Sequence, residues 1–504
     1  MNAKDNLAQL LWSRAEAAPH EEFLITPEGS WTYQNLQGRC AAFADRIAAD
    51  DIRVVGCMLR NGPALVAAMF GAWSVGASVA LLNAGLSVEE RDQALKDVAA
   101  PVLLTDHALA GTTESDVPRW FVEDLDEFDD AFSGKAERQP VPMEADRDAA
   151  VVFTSGTTGR PKGAALTHGR LLQASSALAV ALRGKPGPYP IARPTTPPNL
   201  IAIPLAQTGG LTTMIFAIVV GRRLLIVEKF RPALIGELAV KHRIDTLVGT
   251  PTMFQMLATH DGPLDLSTVR FAQSTGAPLT EAVKNKFEQR FNVPIIQNYG
   301  QTETGHVAGW TREDLASGTW RPGAVGRPYE GVEIEIRDDD GHVLPTGEVG
   351  EIWVRSPHTM RGYVGPAEAA NAEVMVRGWL RTGDLGRIDE EGYLYLVSRK
   401  REMLICGGFN VYPAEVEQAL LSHPGVRDAV VFGVPDERLG EIPVGVVVRS
   451  DPALTAEALV DHCRSKIAHF KAVRRVSFVE AFPMTESNKI RRAKVRDDYL
   501  GASL

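Results

Sequence analysis

The sequence predicts an α/β protein, with a large N-terminal domain of α/β subdomains plus a β-rich subdomain, followed by a small α+β domain. Over the first four-fifths of the chain, apolar segments rich in Val and Ile, such as 150–153 and 224–227, alternate with helical patterns such as Glu281–Phe291. This alternation is typical of buried sheets covered by helices. From about Gly331 the pattern has period two and is broken by Asp-Gly and Thr-Gly turns, which predicts antiparallel hairpins.

The pattern changes again after Arg399. A strand is predicted near 403–405, a helix over 413–421 and another strand over 429–434. A chain of 504 residues is also too long for one ordinary hydrophobic core. We therefore place a domain boundary near residue 400, which gives an N-terminal domain over 1–400 and a C-terminal domain over 401–504.

The composition is that of an acidic globular protein. It has 53 Lys and Arg against 63 Asp and Glu, a formal net charge of −10. Nucleic-acid binding needs clustered positive charge, so we expect no nucleic-acid partner. A local basic pocket for an anionic ligand can still lie inside an acidic surface.

Neither membrane insertion nor secretion is expected. The most apolar stretch, 211–220, is too short to span a bilayer and is followed at once by Arg222 and Arg223. The N-terminus lacks the long apolar segment of a secretory signal. Four well-separated cysteines show no metal-binding spacing, so we expect reduced thiols in a cytoplasmic protein: Cys40, Cys57, Cys406 and Cys463.

A loop rich in glycine and hydroxyl residues follows a predicted buried strand, in the sequence VVFTSGTTGRPKG at 151–163. Glycines let backbone N–H groups turn towards an anion, and hydroxyls add further donors. It differs from a Walker A loop because Pro161 precedes Lys162 and Gly163 follows it. We interpret it as a phosphate-binding loop, with a turn-rich surface hairpin as the alternative; its candidate residues are Thr154, Ser155, Gly156, Thr157, Thr158, Gly159 and Lys162.

The loop is one of six motifs spread over nearly the whole chain. They are TSGTTGRPKG at 154–163, STGAPL at 274–279, NYGQTE at 298–303, GWLRTGDLGRIDEEGYLYLVSRKREM at 378–403, GGFNVYPAEVE at 407–417 and NKIRR at 488–492. In sequence and in order they resemble the motifs of the adenylate-forming enzymes, which include acyl-CoA synthetases, the adenylation domains of peptide synthetases and firefly luciferase.

The resemblance implies a two-step reaction on a small carboxylic acid, with ATP, Mg²⁺ and coenzyme A. The acid first displaces pyrophosphate from ATP to form an acyl adenylate. A mobile C-terminal domain then moves, and a thiol displaces AMP. A homodimer is left open.

Roles for individual residues in the first step come from the resemblance. Thr302 is expected to contact the α-phosphate, and Glu303 is expected to ligate Mg²⁺. Without the neighbouring motif residues, Glu303 would be interpreted as a carboxylate at the N-terminus of a helix. Asp384 is expected to bind the ribose hydroxyls, with a turn aspartate as the alternative. Lys489 is the expected adenylation lysine, whereas Arg491 and Arg492 are expected to be surface charges. The remaining nucleotide-binding candidates are Gly276, Ala277, Pro278, Asn298, Tyr299, Gly300 and Arg399.

The resemblance also implies residues for the second step and for the acyl site. Gly407 and Gly408 are expected to let the thiol chain of coenzyme A pass close to the backbone, and Arg401 occupies the hinge position. The coenzyme A phosphates are assigned to Lys471 and Arg474, although such basic runs are usually solvated. The candidate acyl-pocket residues are Gln207, Gly209, Ser274 and Thr275.

Four positions depart from the usual family pattern: Gln207, Ser398, Arg401 and Asn488. Gln207 stands where histidine or an aromatic-rich segment is common, which suggests an unusual acyl pocket. Medium-chain, aromatic and alicyclic or sterol-derived acids are all compatible with the sequence.

Three other functions are weighed against an acyl-CoA synthetase. An acyl-AMP ligase that loads a carrier protein would usually have an extra segment before the hinge. An amino-acid adenylation enzyme would normally place an aspartate near the pocket entrance. A non-catalytic ATP-binding protein would tend to lose groups such as Lys162, Glu303 and Lys489, which are present here.

Overall fold

The Val- and Ile-rich segments form parallel sheets, as their continuous apolar character predicts. The computed structural model describes residues 6–84, 86–111, 113–123, 139–154, 161–318, 321–485 and 489–502. Its α-helices are α1 Leu7–Ala17, α2 Tyr33–Ala49, α3 Pro63–Ser74, α4 Val88–Asp97, α5 His107–Ala110, α6 His168–Arg183, α7 Thr208–Val219, α8 Pro232–Lys241, α9 Pro251–Ala258, α10 Glu281–Phe291, α11 Arg312–Ser317, α12 Asn371–Val374, α13 Pro413–Leu421, α14 Ala456–Lys466 and α15 Arg492–Ala502.

Strands alternate with these helices over the first part of the chain and then dominate it. They are β1 Glu22–Ile25, β2 Ser30–Thr32, β3 Val54–Met58, β4 Ser78–Leu81, β5 Leu103–Thr105, β6 Arg119–Phe121, β7 Asp148–Thr154, β8 Lys162–Thr167, β9 Asn199–Ile201, β10 Leu224–Ile226, β11 Thr246–Gly249, β12 Phe271–Ser274, β13 Ile295–Gln297, β14 Tyr299–Gln301, β15 Gly305–Gly309, β16 Arg327–Pro328, β17 Glu333–Arg337, β18 Gly350–Arg355, β19 Gly362–Tyr363, β20 Met375–Val376, β21 Trp379–Ile388, β22 Leu394–Arg399, β23 Leu404–Cys406, β24 Phe409–Val411, β25 Val426–Asp436, β26 Gly440–Arg449 and β27 Arg475–Val479.

A seven-stranded sheet in the order β19-β8-β7-β4-β3-β5-β6 forms the first layer. Strands β7, β4, β3, β5 and β6 run parallel, whereas β8 returns antiparallel to β7. Helix α3 is apolar on all sides and is buried from Leu65 to Ser74, as expected for a helix enclosed by other elements. The β7–β8 hairpin places Thr154 and Lys162 opposite each other, at the two ends of the predicted phosphate loop.

A second α/β unit contains the parallel sheet β11-β12-β13. Helices α9 and α10 cover it, with Phe254 and Phe287 in edge-to-face contact at 5.2 Å between ring centroids. A third parallel set pairs β1 with β10 and β10 with β9. Because the strands are parallel, Thr275 and Asn298 follow β12 and β13 at the same edge of one sheet.

The predicted antiparallel hairpins are confirmed. Strand β17 pairs with β18 from Glu333↔Arg355 to Arg337↔Glu351, and β18 pairs with β21. A short sheet of β14, β15 and β16 precedes this unit in the chain and follows the parallel sheets.

The last part of the chain is a separate α+β layer. Its sheet has the order β24-β23-β26-β25 with β27 beside β26, and helices α13 and α14 pack on one apolar cluster with it. Between this sheet and β22 lies one 3₁₀ turn, Lys400–Glu402. The α/β class with a β-rich unit and a small final unit is confirmed, while the boundary at residue 400 stays a prediction.

The cysteines are free and buried, as expected for reduced thiols. Across the described residues, none of the helices is both long enough and apolar enough to cross a membrane.

Candidate active site

Glu303 lies in the turn that joins β14 to β15, so the alternative of a helix N-terminal carboxylate is wrong. Its Oε1 accepts hydrogen bonds from Thr154 Oγ1 at 3.2 Å and from the Tyr363 hydroxyl at 2.9 Å. Thr154 ends β7 and Tyr363 lies in β19. The seven-stranded sheet therefore presents the end of the phosphate loop directly to the Glu303 turn.

The chemistry of this turn fits a magnesium ion. Both hydrogen bonds to Glu303 reach Oε1, which leaves Oε2 able to ligate a cation, and carboxylate and phosphate oxygens are the ligands that Mg²⁺ prefers. Lys162 Nζ lies 5.2 Å from the centroid of the Tyr363 ring. Thr302 Oγ1 accepts a hydrogen bond of 2.9 Å from Thr208 at the start of α7. The loop residues Ser155, Gly156, Thr157, Thr158 and Gly159 lie outside the residues that the structure describes.

Asp384 lies inside strand β21 and is buried, so the alternative of a turn aspartate is wrong. Its Oδ2 accepts hydrogen bonds from the Tyr299 hydroxyl at 2.8 Å and from Gln301 Nε2 at 2.6 Å. Arg399 Nε lies 3.5 Å from Oδ1. Burial raises the pKa of Asp384, while the Arg399 charge opposes that shift. These neighbours hold the Asp384 carboxylate in place, with Oδ1 nearest the Arg399 guanidinium.

The NYGQTE segment carries two further features of a binding site. Asn298 is buried, and its Oδ1 has no hydrogen-bond partner among the described residues. An orphaned amide oxygen of this kind is costly unless a ligand supplies a donor, such as an exocyclic amine. At Gly300 an added Cβ would lie 2.3 Å from the Gly305 carbonyl oxygen, so only glycine lets β14 and β15 approach this closely.

Lys489 reaches the N-terminal part of the molecule from the C-terminal part. Its Nζ lies 2.9 Å from the position that a Cβ on Gly276 would occupy, and Gly276 has φ +79°. Burial lowers the pKa of Lys489 to about 8, and the nearby Arg399 charge contributes. A lysine predicted from the sequence alone is thus placed on the STGAPL segment beside Ala277 and Pro278.

Arg492 corrects the prediction that it is a surface charge. Its Nη2 lies 2.7 Å from Glu417 Oε1 and 3.1 Å from the Val431 carbonyl oxygen. Its Nε lies 3.5 Å from Glu402 Oε2 in the 3₁₀ turn. The start of α15 is therefore tied to the sheet and the turn next to it, whereas Arg491 is exposed as expected.

The residues assigned to coenzyme A lie in two other places. Gly407 and Gly408 form the exposed turn between β23 and β24, with φ +60° and +86°, so glycine is needed for the backbone alone. Lys471 Nζ binds both oxygens of Glu415 at 2.8 Å, which neutralises much of its charge. Arg474 Nη1 lies 3.5 Å from His469 Nδ1. Arg401 lies in the 3₁₀ turn and is exposed.

A cavity of about 220 Å³ lies between α6, α7 and the parallel sheet of β11 and β12. Gly209 and Thr275 line it, as the sequence predicts for the acyl pocket, and Asn298 and His306 do so as well. Gln207 and Ser274 are not among its walls within the described part of the chain. Gln207 occupies the N-cap of α7, and the fully buried Ser274 Oγ has no described hydrogen-bond partner.

Sequence reasoning did not identify four residues of this site: Tyr363, His306, Thr208 and Gln301. Gln301 stands inside a motif and Thr208 is next to Gln207, so both had a signal in the sequence. Burial lowers the pKa of His306 to about 4, and His358 adds to the shift. The imidazole that lines the cavity is therefore neutral near pH 7.

Comparison with known proteins shows the family to which the chain belongs. The family model described as "AMP-binding enzyme" matches residues 11–364, and "AMP-binding enzyme C-terminal domain" matches 415–489. The chain is similar to a 2-succinylbenzoate–CoA ligase of Bacillus pumilus, at 31% identity over 96% of this chain and 97% of the relative. It is also similar to a feruloyl-CoA synthase of an Amycolatopsis species, at 32% identity over 96% and 97%.

A solved structure supports the same assignment. The o-succinylbenzoate CoA synthetase (MenE) of Bacillus subtilis, in complex with its acyl-adenylate intermediate OSB-AMP, is 29% identical and superposes with a TM-score of 0.85. The similarity covers 98% of this chain and 99% of that one. Because the first family match alone spans more than half of the chain, this protein belongs to the AMP-binding enzyme family.

Proposed function

We propose that this protein is an AMP-forming acid–thiol ligase, which activates a carboxylic acid with Mg-ATP and transfers the acyl group to coenzyme A. One observation carries the proposal: Lys489 is held over Gly276, at the sheet edge where Asn298 also lies. That arrangement supplies a cation where an acid and an α-phosphate would meet.

The first step joins two anions, so its barrier is largely electrostatic. A carboxylate oxygen attacks the α-phosphorus of ATP, and the bond from that phosphorus to the bridging oxygen breaks as pyrophosphate leaves. Lys489 stabilises the charge on the attacking carboxylate and on the phosphate, and Thr302 donates to the α-phosphate. When bound at Glu303, Mg²⁺ supplies further neutralisation of the phosphate charge.

The nucleotide is positioned by residues that are themselves held by hydrogen bonds and an ion pair to one another. Asn298 Oδ1 accepts a hydrogen bond from the exocyclic amine of adenine. The Tyr299 ring packs on the base, while the Tyr299 hydroxyl keeps its hydrogen bond to Asp384. Asp384 accepts from the ribose hydroxyls, with Arg399 beside it. Such pre-arranged groups reduce the entropy lost when the reactants meet.

The second step forms a thioester. The sulfur of coenzyme A attacks the acyl carbonyl carbon, the bond from that carbon to the AMP oxygen breaks, and the thiol proton passes to solvent. We place Gly407 and Gly408 at the path of the thiol chain after the C-terminal domain turns about Arg401, and Lys471 and Arg474 at the coenzyme A phosphates. The Lys471–Glu415 ion pair must open for that role.

An aromatic acid is the substrate class that we propose. The relatives are named for 2-succinylbenzoate and ferulate, and Leu178, Phe216 and Val248 line the cavity. Apolar walls of this kind bury a ring favourably. An acyl-AMP ligase that loads a carrier protein is the alternative, since both enzymes share the first step.

A panel of carboxylic acids tests the proposal. Pyrophosphate and AMP are measured with Mg-ATP, with and without coenzyme A. We expect an aromatic acid to release both products, with multiple turnovers only when coenzyme A is present. ADP and phosphate as products would contradict the reaction class. Adenylate formation without any coenzyme A thioester would favour the carrier-protein alternative.

A further inference from the structure

Four charged side chains line the proposed acyl cavity, Arg183, Arg222, Arg270 and Asp245. Asp245 and Arg270 directly precede β11 and β12, and we call the end of the cavity at these four residues its outer end. Arg222 and Asp245 form a two-pronged ion pair, with both N···O distances at 2.8 Å. Such a pair is close to neutral as a unit and holds both partners in place. The outer end therefore carries the surplus positive charge of Arg183 and Arg270.

Neither surplus arginine has a carboxylate in direct ion-pair contact among the described residues, although the charge of Asp245 acts on Arg183. The Arg183 guanidinium is half-buried and lies 5.3 Å from the centroid of the Tyr189 ring. Burial lowers its pKa and Arg222 adds to the effect, yet an arginine remains charged at neutral pH.

The topology places this charge opposite the reacting end. Arg270 precedes strand β12 and Thr275 follows it, so the two lie at opposite edges of the parallel sheet. A four-residue strand such as β12 spans about 13 Å at the usual rise per residue. The lining of the same cavity also includes the apolar side chains of Leu182, Leu200 and Phe216.

We propose that the preferred acid carries a second anionic group, such as a carboxylate, at the end remote from the activated carboxyl, and that Arg183 binds it. The proposal rests on the proposed function. The ligand that fits is an acid with an apolar ring or chain between two anionic ends. A guanidinium recognises a carboxylate through paired N–H donors, and the partial burial of Arg183 strengthens this contact relative to one in bulk water.

A purely structural role for Arg183 is the competing account. Arg183 ends α6, where a cation stabilises the helix dipole, and it lies against Tyr189. In that account its replacement would lower stability and would affect every acid alike. Lys185 offers a matched control, since its Nζ lies 5.4 Å from the same ring but it is exposed and does not line the cavity.

The test compares 4-oxo-4-phenylbutanoate with its analogues that carry a ring carboxylate in the ortho, meta or para position. The kcat/KM for acid-dependent pyrophosphate release is measured in the native protein, Arg183→Gln, Arg183→Lys and Lys185→Gln. We expect at least one dianionic acid to be preferred about tenfold or more over the monoacid. Arg183→Gln should remove that preference, Arg183→Lys should keep part of it, and Lys185→Gln should keep it all.

Calorimetric titration of the same acids, in the presence of a non-hydrolysable ATP analogue, measures the preference without turnover. Selective binding of a dianionic acid that is lost in Arg183→Gln upholds the inference even if no acid is turned over, and that result would count against the proposed function alone. Equal affinities for monoacid and dianionic acids in the native protein, or an equal loss for both in Arg183→Gln, would overturn the inference.

Discussion

At the scale of single residues, the site is built from charges that neighbouring groups hold in place. Glu303 and Asp384 each accept two hydrogen bonds on one oxygen, which leaves the other oxygen for a ligand or a cation. Within the part of the chain that the structure describes, the Lys489 ammonium group has no such hydrogen-bond anchor, and burial together with the Arg399 charge lowers its pKa to about 8. The protonation of Lys489 is therefore the property most open to measurement.

The pH dependence of adenylate formation should follow Lys489. The catalytic form is the ammonium ion, which is present below its pKa and lost above it. The kcat/KM for acid-dependent ATP–pyrophosphate exchange should therefore fall above about pH 8. Lys489→Arg should move this fall to higher pH, because guanidinium stays charged, whereas the exposed Lys494→Arg should leave the profile unchanged. An identical profile for all three proteins would show that another group titrates.

The structure brings several of the motifs together, while the roles of their residues stay predictions. Asp384 accepts hydrogen bonds from Tyr299 and Gln301, and Glu303 accepts one from Thr154, because strand ends and turns bring these segments together. Tyr363 and His306 could not be identified in this way, because no local pattern marks a side chain that points at a distant motif. Arg492 was assigned wrongly for the same reason, since its burial depends on Glu417, which lies 75 positions earlier in the chain.

At the scale of elements, two loops bring the two parts of the chain together at the candidate site. The segment after β12 presents Gly276, and the segment before α15 presents Lys489. The absence of a side chain at Gly276 is what gives the ammonium group its place, since a Cβ there would lie 2.9 Å from Nζ.

Gly276→Ala should slow adenylate formation by displacing the lysine. Gly392→Ala is the matched control, because Gly392 has φ +82° against +79° but an added Cβ would meet nothing within 4 Å. Both variants should lose about 1 kcal/mol of unfolding free energy from the left-handed backbone. Only Gly276→Ala should reduce pyrophosphate exchange, by about tenfold. Equal rates in the two variants would show that this contact does not position Lys489.

Element prediction succeeded where the pattern of the chain was strong. Helices over 281–291 and 413–421 form with the expected bounds, because each has a clear apolar face between a start signal and a break. The expected role of Gln207 is not supported by its place at the N-cap of α7, outside the cavity walls. The way in which the side chain at the start of a helix points depends on how the helix packs, and the identity of that one residue does not reveal it.

At the scale of the whole molecule, we propose that Lys489 serves the first step of the reaction and that the turn of Gly407 and Gly408 serves the second. Lys489 contacts the STGAPL segment, whereas Gly407 and Gly408 lie in an exposed turn of the C-terminal sheet. In the proposed mechanism, Lys489 in this position serves the first step, and the C-terminal part turns for the second.

Two variants should separate the half-reactions. Lys489→Ala should reduce adenylate formation about 100-fold or more, because the ammonium acts on charge that develops only in that transition state, and it should still convert a supplied acyl adenylate to thioester. Gly408→Leu should do the reverse by blocking the thiol. Lys494→Ala and Gly347→Leu are the controls, the latter at φ +88° with open space around its Cβ position. Loss of both half-reactions in each folded variant would disprove this division.

The central claim is that a carboxylate oxygen of the substrate attacks the α-phosphorus of ATP. An aromatic acid labelled with ¹⁸O in both carboxyl oxygens tests it directly, with mass spectrometry of the nucleotide and phosphate products after full turnover with coenzyme A. Because the thiol attacks the carbonyl carbon, the attacking oxygen stays with the phosphorus, and we predict AMP that carries one ¹⁸O atom. Unlabelled nucleotide together with labelled inorganic phosphate would mean attack at the γ-phosphorus and would contradict the account.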